Sequence, residues 1–368
     1  MARRRTVNKS KIKKPRRTKK NLLSVFLIIV AMALYLGVIW FFVTQTYQSQ
    51  PTQAGSLSSG ETFASEDFSK SLDLRIATKA TYASSTLRMI KDLGSSNGID
   101  EQIINFAVPT DKLSEYALMT MPSGQRPASG WPVIILCHGY YNPEQYVTST
   151  GYTADMDFYS QHGYAVIKPD YRGQGLSIHQ GSPTGAYYSM DYNTDVMSLI
   201  TAVKKTSYLN KNNINLWGHS MGAYIALRSA VLSPEIKNVI LLSGPVGTPK
   251  DMFDDYMAVS DADNPVALKL RQTTVLKYGT PATNPKFWNT TAPINYVSQL
   301  NANVEIYVGT DDHTVPPVFS AELDTALSNA HKIHEYQVFD GANHGLDDQR
   351  PDIWQTSLQQ LDKTNQQA

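Results

Sequence analysis

The chain has 368 residues, of which 42% are hydrophobic, 18% are charged and one is a cysteine. This composition is typical of a chain with a packed core, and it excludes a wholly disordered or collagen-like protein. A single thiol also excludes an intrachain disulfide and a Cys-rich zinc site. At roughly 100 to 200 residues per domain, the length predicts one large domain with an appendage, or two ordinary domains.

The formal net charge of +1 conceals an uneven distribution along the chain. Residues 1–20 carry eleven Lys and Arg and no acid, and residues 21–43 carry no charged side chain. The chain from Thr44 onward has 22 basic and 32 acidic residues, a formal charge of −10. Because this main body is negative, no nucleic-acid partner is predicted for it.

A membrane segment is predicted within 21–43. The run 22–43 is apolar apart from Ser24 and Gly37, and at about 1.5 Å per residue a helix of this length crosses a hydrocarbon core of about 30 Å. The basic tail 1–20 should stay cytoplasmic and place the rest of the chain outside the cytoplasm. A cleaved signal peptide is the alternative, but its apolar region typically runs only about 7 to 15 residues. The lipid bilayer is therefore a predicted partner.

Two connecting segments are predicted after the anchor. Residues 44–71 are rich in Gln, Ser, Thr and Gly and predict a flexible stalk. Residues 72–100 predict a linking helix, formed by 72–93, which ends at the Gly-Ser-Ser-Asn-Gly break at 94–98.

Residues 101–368 predict an α/β fold. Short apolar runs there alternate with helical patterns, as in a mostly parallel sheet of about eight strands that is flanked by helices. The first two strands are expected to form an antiparallel hairpin. Strands are predicted at 102–108, 114–121, 132–137, 164–168, 213–217, 237–243, 303–308 and 333–339, and helices at 153–162, 191–205, 221–232, 317–330 and 352–364.

A nucleophile motif follows the predicted strand 213–217. Gly218-His219-Ser220-Met221-Gly222 matches G-x-S-x-G, and a helical pattern follows it, which is the strand–turn–helix context that the motif requires. The glycines allow a tight turn that exposes the Ser220 hydroxyl. The Met221 N–H at the helix start is predicted to stabilise an oxyanion.

A serine hydroxyl needs a base to take its proton and an acid to orient that base. His344 lies in a Gly-flanked loop directly after the last predicted strand, where it can reach over the sheet. His313 is its main rival, whereas His219 lies inside the turn and is expected to pack or hydrogen-bond there. Asp312 is chosen over Asp311 because the spacing G-T-x-D-x-x-V-P places it at the crest of the loop. The resulting order Ser, Asp, His is that of the nucleophile-elbow hydrolases.

A second oxyanion donor is expected in the loop after strand 132–137. Gly139 lets the backbone approach the substrate, and the Tyr140 N–H is the candidate donor. Gly139, Tyr141 and His219 are predicted to contact substrate. The alternative is that the tyrosines only line the pocket. This chemistry requires no metal and no cofactor, and none is predicted.

Five stretches carry a resemblance to a known family: VIILCHGYYNPEQY, GYAVIKPDYRGQGLS, LWGHSMGAYIAL, APINYVSQLNANVEIYVGTDDHTVPP and YQVFDGANHGL. Over about 102–364 the chain resembles the α/β-hydrolase superfamily, and within it the catalytic domain of the prolyl oligopeptidase and acylaminoacyl-peptidase family. The resemblance implies Ser220, Asp312 and His344 as the triad and the Met221 N–H as an oxyanion donor. In prolyl oligopeptidases a tyrosine side chain also serves the oxyanion, and Tyr140 occupies a similar place.

Two regions extend this resemblance, and one feature departs from it. The turn in 170–177 is expected to buttress the site, and 248–300 falls where such hydrolases carry a cap. The cap aromatics either shape a substrate pocket or pack on one another. About 60 residues separate the predicted anchor from the sheet, too few for the family's β-propeller, which filters substrates.

The sequence thus predicts a membrane-anchored serine hydrolase with its catalytic domain outside the cytoplasm. Peptide bonds are the favoured substrate. An esterase or lipase of the same fold is the principal alternative, because triad chemistry does not by itself select amides over esters. A non-catalytic binding protein on the same scaffold is the third hypothesis.

Overall fold

A computed structural model describes residues 68–257 and 264–367. The predicted basic tail, the membrane helix at 21–43 and the stalk as far as residue 67 lie outside the described residues. None of the helices within the described ranges combines the length and the apolar character that a bilayer span requires.

A single sheet of nine strands organises the described part of the chain, in the order β1-β2-β3-β5-β4-β6-β7-β8-β9. Strands β1, β2, β3 and β5 pair in antiparallel fashion, whereas β5, β4 and β6 to β9 run parallel. The expected hairpin of β2 with β3 is confirmed. The strands are β1 Arg88–Ser96, β2 Ile99–Val108, β3 Leu113–Pro122, β4 Trp131–Cys137, β5 Ala165–Pro169, β6 Leu209–His219, β7 Ile236–Leu242, β8 Asn303–Gly309 and β9 His334–Phe339.

Helices cover both faces of this sheet. Short 3-10 turns and one π-helical turn, Met252–Met257, complete the described structure. The α-helices are α1 Leu74–Ala77, α2 Thr153–Gln161, α3 Asp191–Lys205, α4 Met221–Leu232, α5 Pro249–Asp251, α6 Pro265–Tyr278, α7 Pro285–Thr291, α8 Val318–Asn329 and α9 Arg350–Gln367.

The central strands are apolar throughout because both of their faces are buried. In β4, Ile135 packs into a core that includes α3 and α4, while its neighbour Ile134 packs into a second core that includes α2 and α9. Successive side chains of a strand point to opposite faces, so a strand covered on both sides has no polar alternation. The predicted α/β-hydrolase-like architecture is confirmed, with nine described strands instead of about eight.

The predicted linking helix at 72–100 is wrong. Only α1 is helical within this segment, and β1 forms a strand at the edge of the sheet. Because β1 is largely exposed, its apolar residues do not mark a buried face, and their spacing imitates a helix. The decisive signal is local: Asn97 and Gly98 have φ of 51° and 77° and join β1 to β2 in a two-residue turn. Asn-Gly is the preferred pair for such a hairpin.

The region 248–300, predicted as a cap, lies between β7 and β8. Some of its aromatic side chains pack on one another, and one lines a cavity. Phe287 stacks on Tyr278 at 3.8 Å between ring centroids, and Trp288 packs on Phe253 at 5.4 Å. Tyr256 instead lines the central cavity described below.

The hairpin turn makes a testable contribution to stability. Gly98→Ala places a side chain at φ 77°, although no atom lies within 4 Å of the new Cβ. We expect the free energy of unfolding of the full chain to fall by about 1 to 2 kcal/mol, because the left-handed region is strained for alanine. Urea unfolding in detergent measures this change.

Gly124→Ala is the matched control, since Gly124 has equally open surroundings and no positive φ. We expect it to change stability by less than about 0.5 kcal/mol. Equal effects of the two substitutions would contradict the assignment of strain to the turn.

Candidate active site

The central feature of the site is a strained backbone turn between β6 and α4. Ser220 has φ 56° and ψ −127°, a conformation that non-glycine residues rarely adopt. Its N–H donates to the carbonyl of Leu242 at the end of β7, with 2.9 Å between N and O. Strain of this kind costs about 1 to 3 kcal/mol and persists only where the surrounding structure enforces it.

Two glycines allow the turn to pack this closely. A Cβ on Gly222 would lie 1.9 Å from the carbonyl oxygen of Cys137, and a Cβ on Gly218 would lie 2.4 Å from the carbonyl oxygen of Gly222. Both distances are impossible for real side chains. The G-x-S-x-G pattern therefore reflects the packing of α4 against the end of β4.

The predicted base and acid are in direct contact. His344, in the loop after β9, has its Nδ1 2.8 Å from Oδ2 of Asp312, whose side chain is fully buried. The other carboxylate oxygen accepts the N–H groups of Thr314 and Val315, each at 2.9 Å. Burial opposes ionisation, but the bond to His344 and these N–H groups hold the pKa of Asp312 below its usual value. Since Nδ1–H donates to the carboxylate, Nε2 is left to accept a proton.

The alternatives to this pair lie at the surface. The side chain of His313 is 86% exposed, and its Nε2 is 3.0 Å from Asp311, which is 61% exposed. Of the two neighbouring aspartates, Asp312 is thus the one that contacts His344.

One cavity of about 680 Å³ brings the predicted residues together. Its lining includes Ser220, Asp312 and His344, together with Gly139, Tyr140, His219 and Met221. The turn and the base loop also touch directly, because the rings of His219 and His344 lie 4.9 Å apart between centroids. Loops from four strands therefore meet at the carboxyl edge of the parallel sheet, where ligands of such sheets bind.

Further lining residues of this cavity come from the cap and from the segment before α3. Tyr187 donates its hydroxyl to that of Tyr256, with 3.2 Å between the oxygens, and Asp255 adds a carboxylate. Tyr256 is one of the aromatics in the predicted cap 248–300, whereas no sequence pattern indicated the other two. Tyr187 and Asp255 lie in no recognisable motif, so only the fold reveals their position.

The loop that carries the predicted second oxyanion donor lies beside Ser220. A Cβ on Gly139 would lie 3.3 Å from the Cβ of Ser220, so the loop after β4 passes next to the turn. The Gly139 N–H donates to the hydroxyl of Tyr152 at 3.0 Å. Because that N–H is engaged, Tyr140 and Met221 remain the predicted N–H donors. Met221 begins α4, and the first N–H groups of a helix have no acceptor within it.

The predicted substrate contacts are divided between two cavities. Tyr141 lines a neighbouring cavity of about 480 Å³ instead of the one that contains Ser220. His219 lines both cavities, yet both of its ring nitrogens are engaged, by Tyr152 and by the carbonyl of His344. Tyr152 itself was missed, because a tyrosine before a predicted helix carries no sequence signal.

The turn at 170–177 buttresses the loop after β4, as its motif predicts. The Asp170 carboxylate accepts the Thr148 hydroxyl at 2.8 Å and the Leu176 N–H at 2.9 Å. Arg172 pairs with the buried carboxylate of Asp195.

Cys137, at the end of β4, is buried, and burial raises the pKa of its thiol to about 12. A thiol with so high a pKa is a poor nucleophile.

The acid can be tested against its neighbour. Asp312→Asn preserves an oxygen acceptor but presents an amide to His344, which favours the wrong imidazole tautomer. We expect kcat for ester or anilide substrates to fall by about 10⁴-fold. Asp311→Asn, the control, should leave kcat within about twofold of the parent value. Steady-state kinetics measures both variants. Parent-like activity of Asp312→Asn, or equal losses of activity in the two variants, would contradict the assignment of Asp312 as the acid.

The chain is similar to known proteins over the segment that contains these residues. The sequence profile of the prolyl oligopeptidase family matches residues 150–363, which include Ser220, Asp312 and His344. A putative esterase/lipase of Haemophilus influenzae is 27% identical over 137 residues, which are 36% of this chain and 42% of that protein. The chain covers about two fifths of the length of the curated relatives it matches.

Solved structures share the fold at low sequence identity. Dipeptidyl peptidase 4 of Porphyromonas gingivalis matches with a TM-score of 0.54 and 18% identity, over 78% of this chain and 36% of that one. The acetyl xylan esterase of Paenibacillus sp. R4 matches with a TM-score of 0.57 and 16% identity, over 83% and 96%. Since the family profile spans more than half of the chain, this protein belongs to the prolyl oligopeptidase family.

Proposed function

We propose that this protein is a membrane-anchored serine hydrolase that cleaves peptide bonds outside the cytoplasm, with Ser220, Asp312 and His344 as its catalytic triad. The observation that carries the proposal is the hydrogen bond from His344 to the buried Asp312, in the cavity that also contains the strained Ser220. A carboxylate–imidazole pair that shares a cavity with a serine side chain is the arrangement that activates a hydroxyl nucleophile.

The proposed reaction proceeds through an acyl-enzyme. His344 Nε2 takes the Ser220 proton as Oγ attacks the substrate carbonyl, and the Met221 and Tyr140 N–H groups stabilise the oxyanion. The protonated His344 then donates to the leaving group. Water, activated by His344 in the same way, releases the acyl group and restores Ser220.

Membership of the prolyl oligopeptidase family favours peptide substrates. Ester hydrolysis is the second candidate, because a relative carries the name esterase/lipase and a structure of the same fold is an acetyl xylan esterase. Fold alone does not distinguish these activities. The proposed triad would serve both.

Serine replacement tests the enzymatic role. Ser220→Ala in the detergent-solubilised full chain should lower kcat by about 10⁶-fold. The substrates are p-nitrophenyl acetate and the p-nitroanilides of alanine and of glycyl-proline. Equal turnover by the variant and the parent would contradict the hydrolase proposal. Parent turnover of the ester with no turnover of either anilide would contradict the peptidase assignment and support the esterase.

The anchor is tested separately by fractionation of cells that express the full chain. The uncharged run 22–43 next to eleven basic residues predicts that the protein remains with membranes after carbonate extraction. Protease added outside intact spheroplasts should degrade the domain beyond residue 68. Release by carbonate, or protection from external protease, would contradict the proposed anchor or its orientation.

A further inference from the structure

Three hydrogen bonds connect the loop after β4, the turn that carries Ser220 and the loop after β9 that carries His344, which we call the base loop. The Gly139 N–H donates to the Tyr152 hydroxyl at 3.0 Å, and this hydroxyl lies 2.8 Å from Nδ1 of His219. Nε2 of His219 lies 2.9 Å from the backbone carbonyl oxygen of His344. We call Tyr152 and His219 the bridging pair.

The partners fix the direction of each bond. A carbonyl oxygen only accepts, so His219 Nε2 must carry a hydrogen and donate it to His344. In a neutral ring Nδ1 is then an acceptor, and it takes the hydroxyl hydrogen of Tyr152. The Tyr152 oxygen in turn accepts the Gly139 N–H. Burial lowers the pKa of His219 to about 3, so the ring is neutral and this pattern persists at physiological pH.

The backbone at Tyr152 is also strained. Tyr152 has φ 59° and follows Gly151 at φ 70°, so two successive residues lie in the left-handed region. Tyr152 is also the N-cap of α2, yet its side chain makes no capping bond. Ser, Thr, Asp or Asn would stabilise that position better. The strained conformation directs the hydroxyl to Gly139 and His219 instead of to the helix end.

We propose that Tyr152 and His219 are positioning residues, which hold the 139–140 loop and the His344 loop in register with Ser220. In this arrangement the Gly139 N–H belongs to the scaffold, and it is not the oxyanion donor. His219 orients the base loop and does not bind substrate. The inference rests on the proposed function, because the positions matter only if these loops perform the chemistry.

A small displacement of either loop would be sufficient to lower the rate of the proposed reaction. A misplacement of about 1 Å in a reacting group can reduce a rate about 100-fold. Tyr152→Phe removes only the hydroxyl and frees the Gly139 N–H. His219→Phe keeps an aromatic ring and removes both nitrogens. His219→Gln restores a donor near the position of Nε2 but offers Tyr152 no imidazole acceptor.

Steady-state kinetics of these variants test the proposal. We expect Tyr152→Phe and His219→Phe each to lower kcat by about 10- to 100-fold with KM within about twofold. His219→Gln should recover part of the loss. Because the pair acts as one unit, the double variant Tyr152→Phe/His219→Phe should be no slower than the slower single variant.

The control is Tyr159→Phe, which removes a buried tyrosine hydroxyl from α2 that bonds to Ser357, away from the cavity. It should lose stability but retain the kcat of the parent. Thermal unfolding of every variant shows whether it is folded at the assay temperature. A folded Tyr152→Phe or His219→Phe variant with the parent kcat overturns the proposal, as do independent losses that multiply in the double variant. A rise in KM at constant kcat overturns it in favour of substrate binding.

These outcomes are distinguishable from failure of the proposed function. If Ser220→Ala is as active as the parent, the triad assignment fails whatever the bridging variants do. If Ser220→Ala is inactive and Tyr152→Phe is fully active and folded, the triad stands and only the bridging role fails.

Discussion

The close approach of α4 to the end of β4 is the constraint on which the site depends. Gly222 packs so tightly against Cys137 that no side chain fits between them, and Ser220 is held at positive φ as a consequence. Helix α4 thereby starts directly after the nucleophile, and its first N–H, that of Met221, is the proposed oxyanion donor. A looser contact would relax the turn and separate the hydroxyl from this N–H.

The remaining parts of the site are positioned by loops that leave the same edge of the sheet. The loops after β4, β6, β8 and β9 carry, in that order, the residues proposed as oxyanion donor, nucleophile, acid and base. Hydrogen bonds fix the positions of these loops: two backbone N–H groups hold Asp312, and the bridging pair connects Gly139 to His344. The chemistry therefore depends on loop geometry that a parallel sheet supplies at one edge.

The sequence predicted the elements whose signal is burial or a short motif. Strand β4 is apolar because both faces are covered, and Gly218, Ser220 and Gly222 occupy fixed positions in a known turn. Strand β1 was missed because an exposed edge strand has no buried face to mark it. Tyr152 was missed because its contacts join residues distant along the chain, and no local pattern records such contacts. The structure thus adds the connections between loops, whereas the motifs already predicted which side chains share the cavity.

A fluorophosphonate probe tests the central claim most directly, because it reacts only with an activated serine. Peptide mass spectrometry of the labelled full chain should find the phosphonyl adduct on Ser220. Heat-unfolded protein should carry none, since the turn that activates the hydroxyl is then lost. An adduct on another residue, or an unlabelled Ser220 in protein that still hydrolyses substrate, would contradict the account.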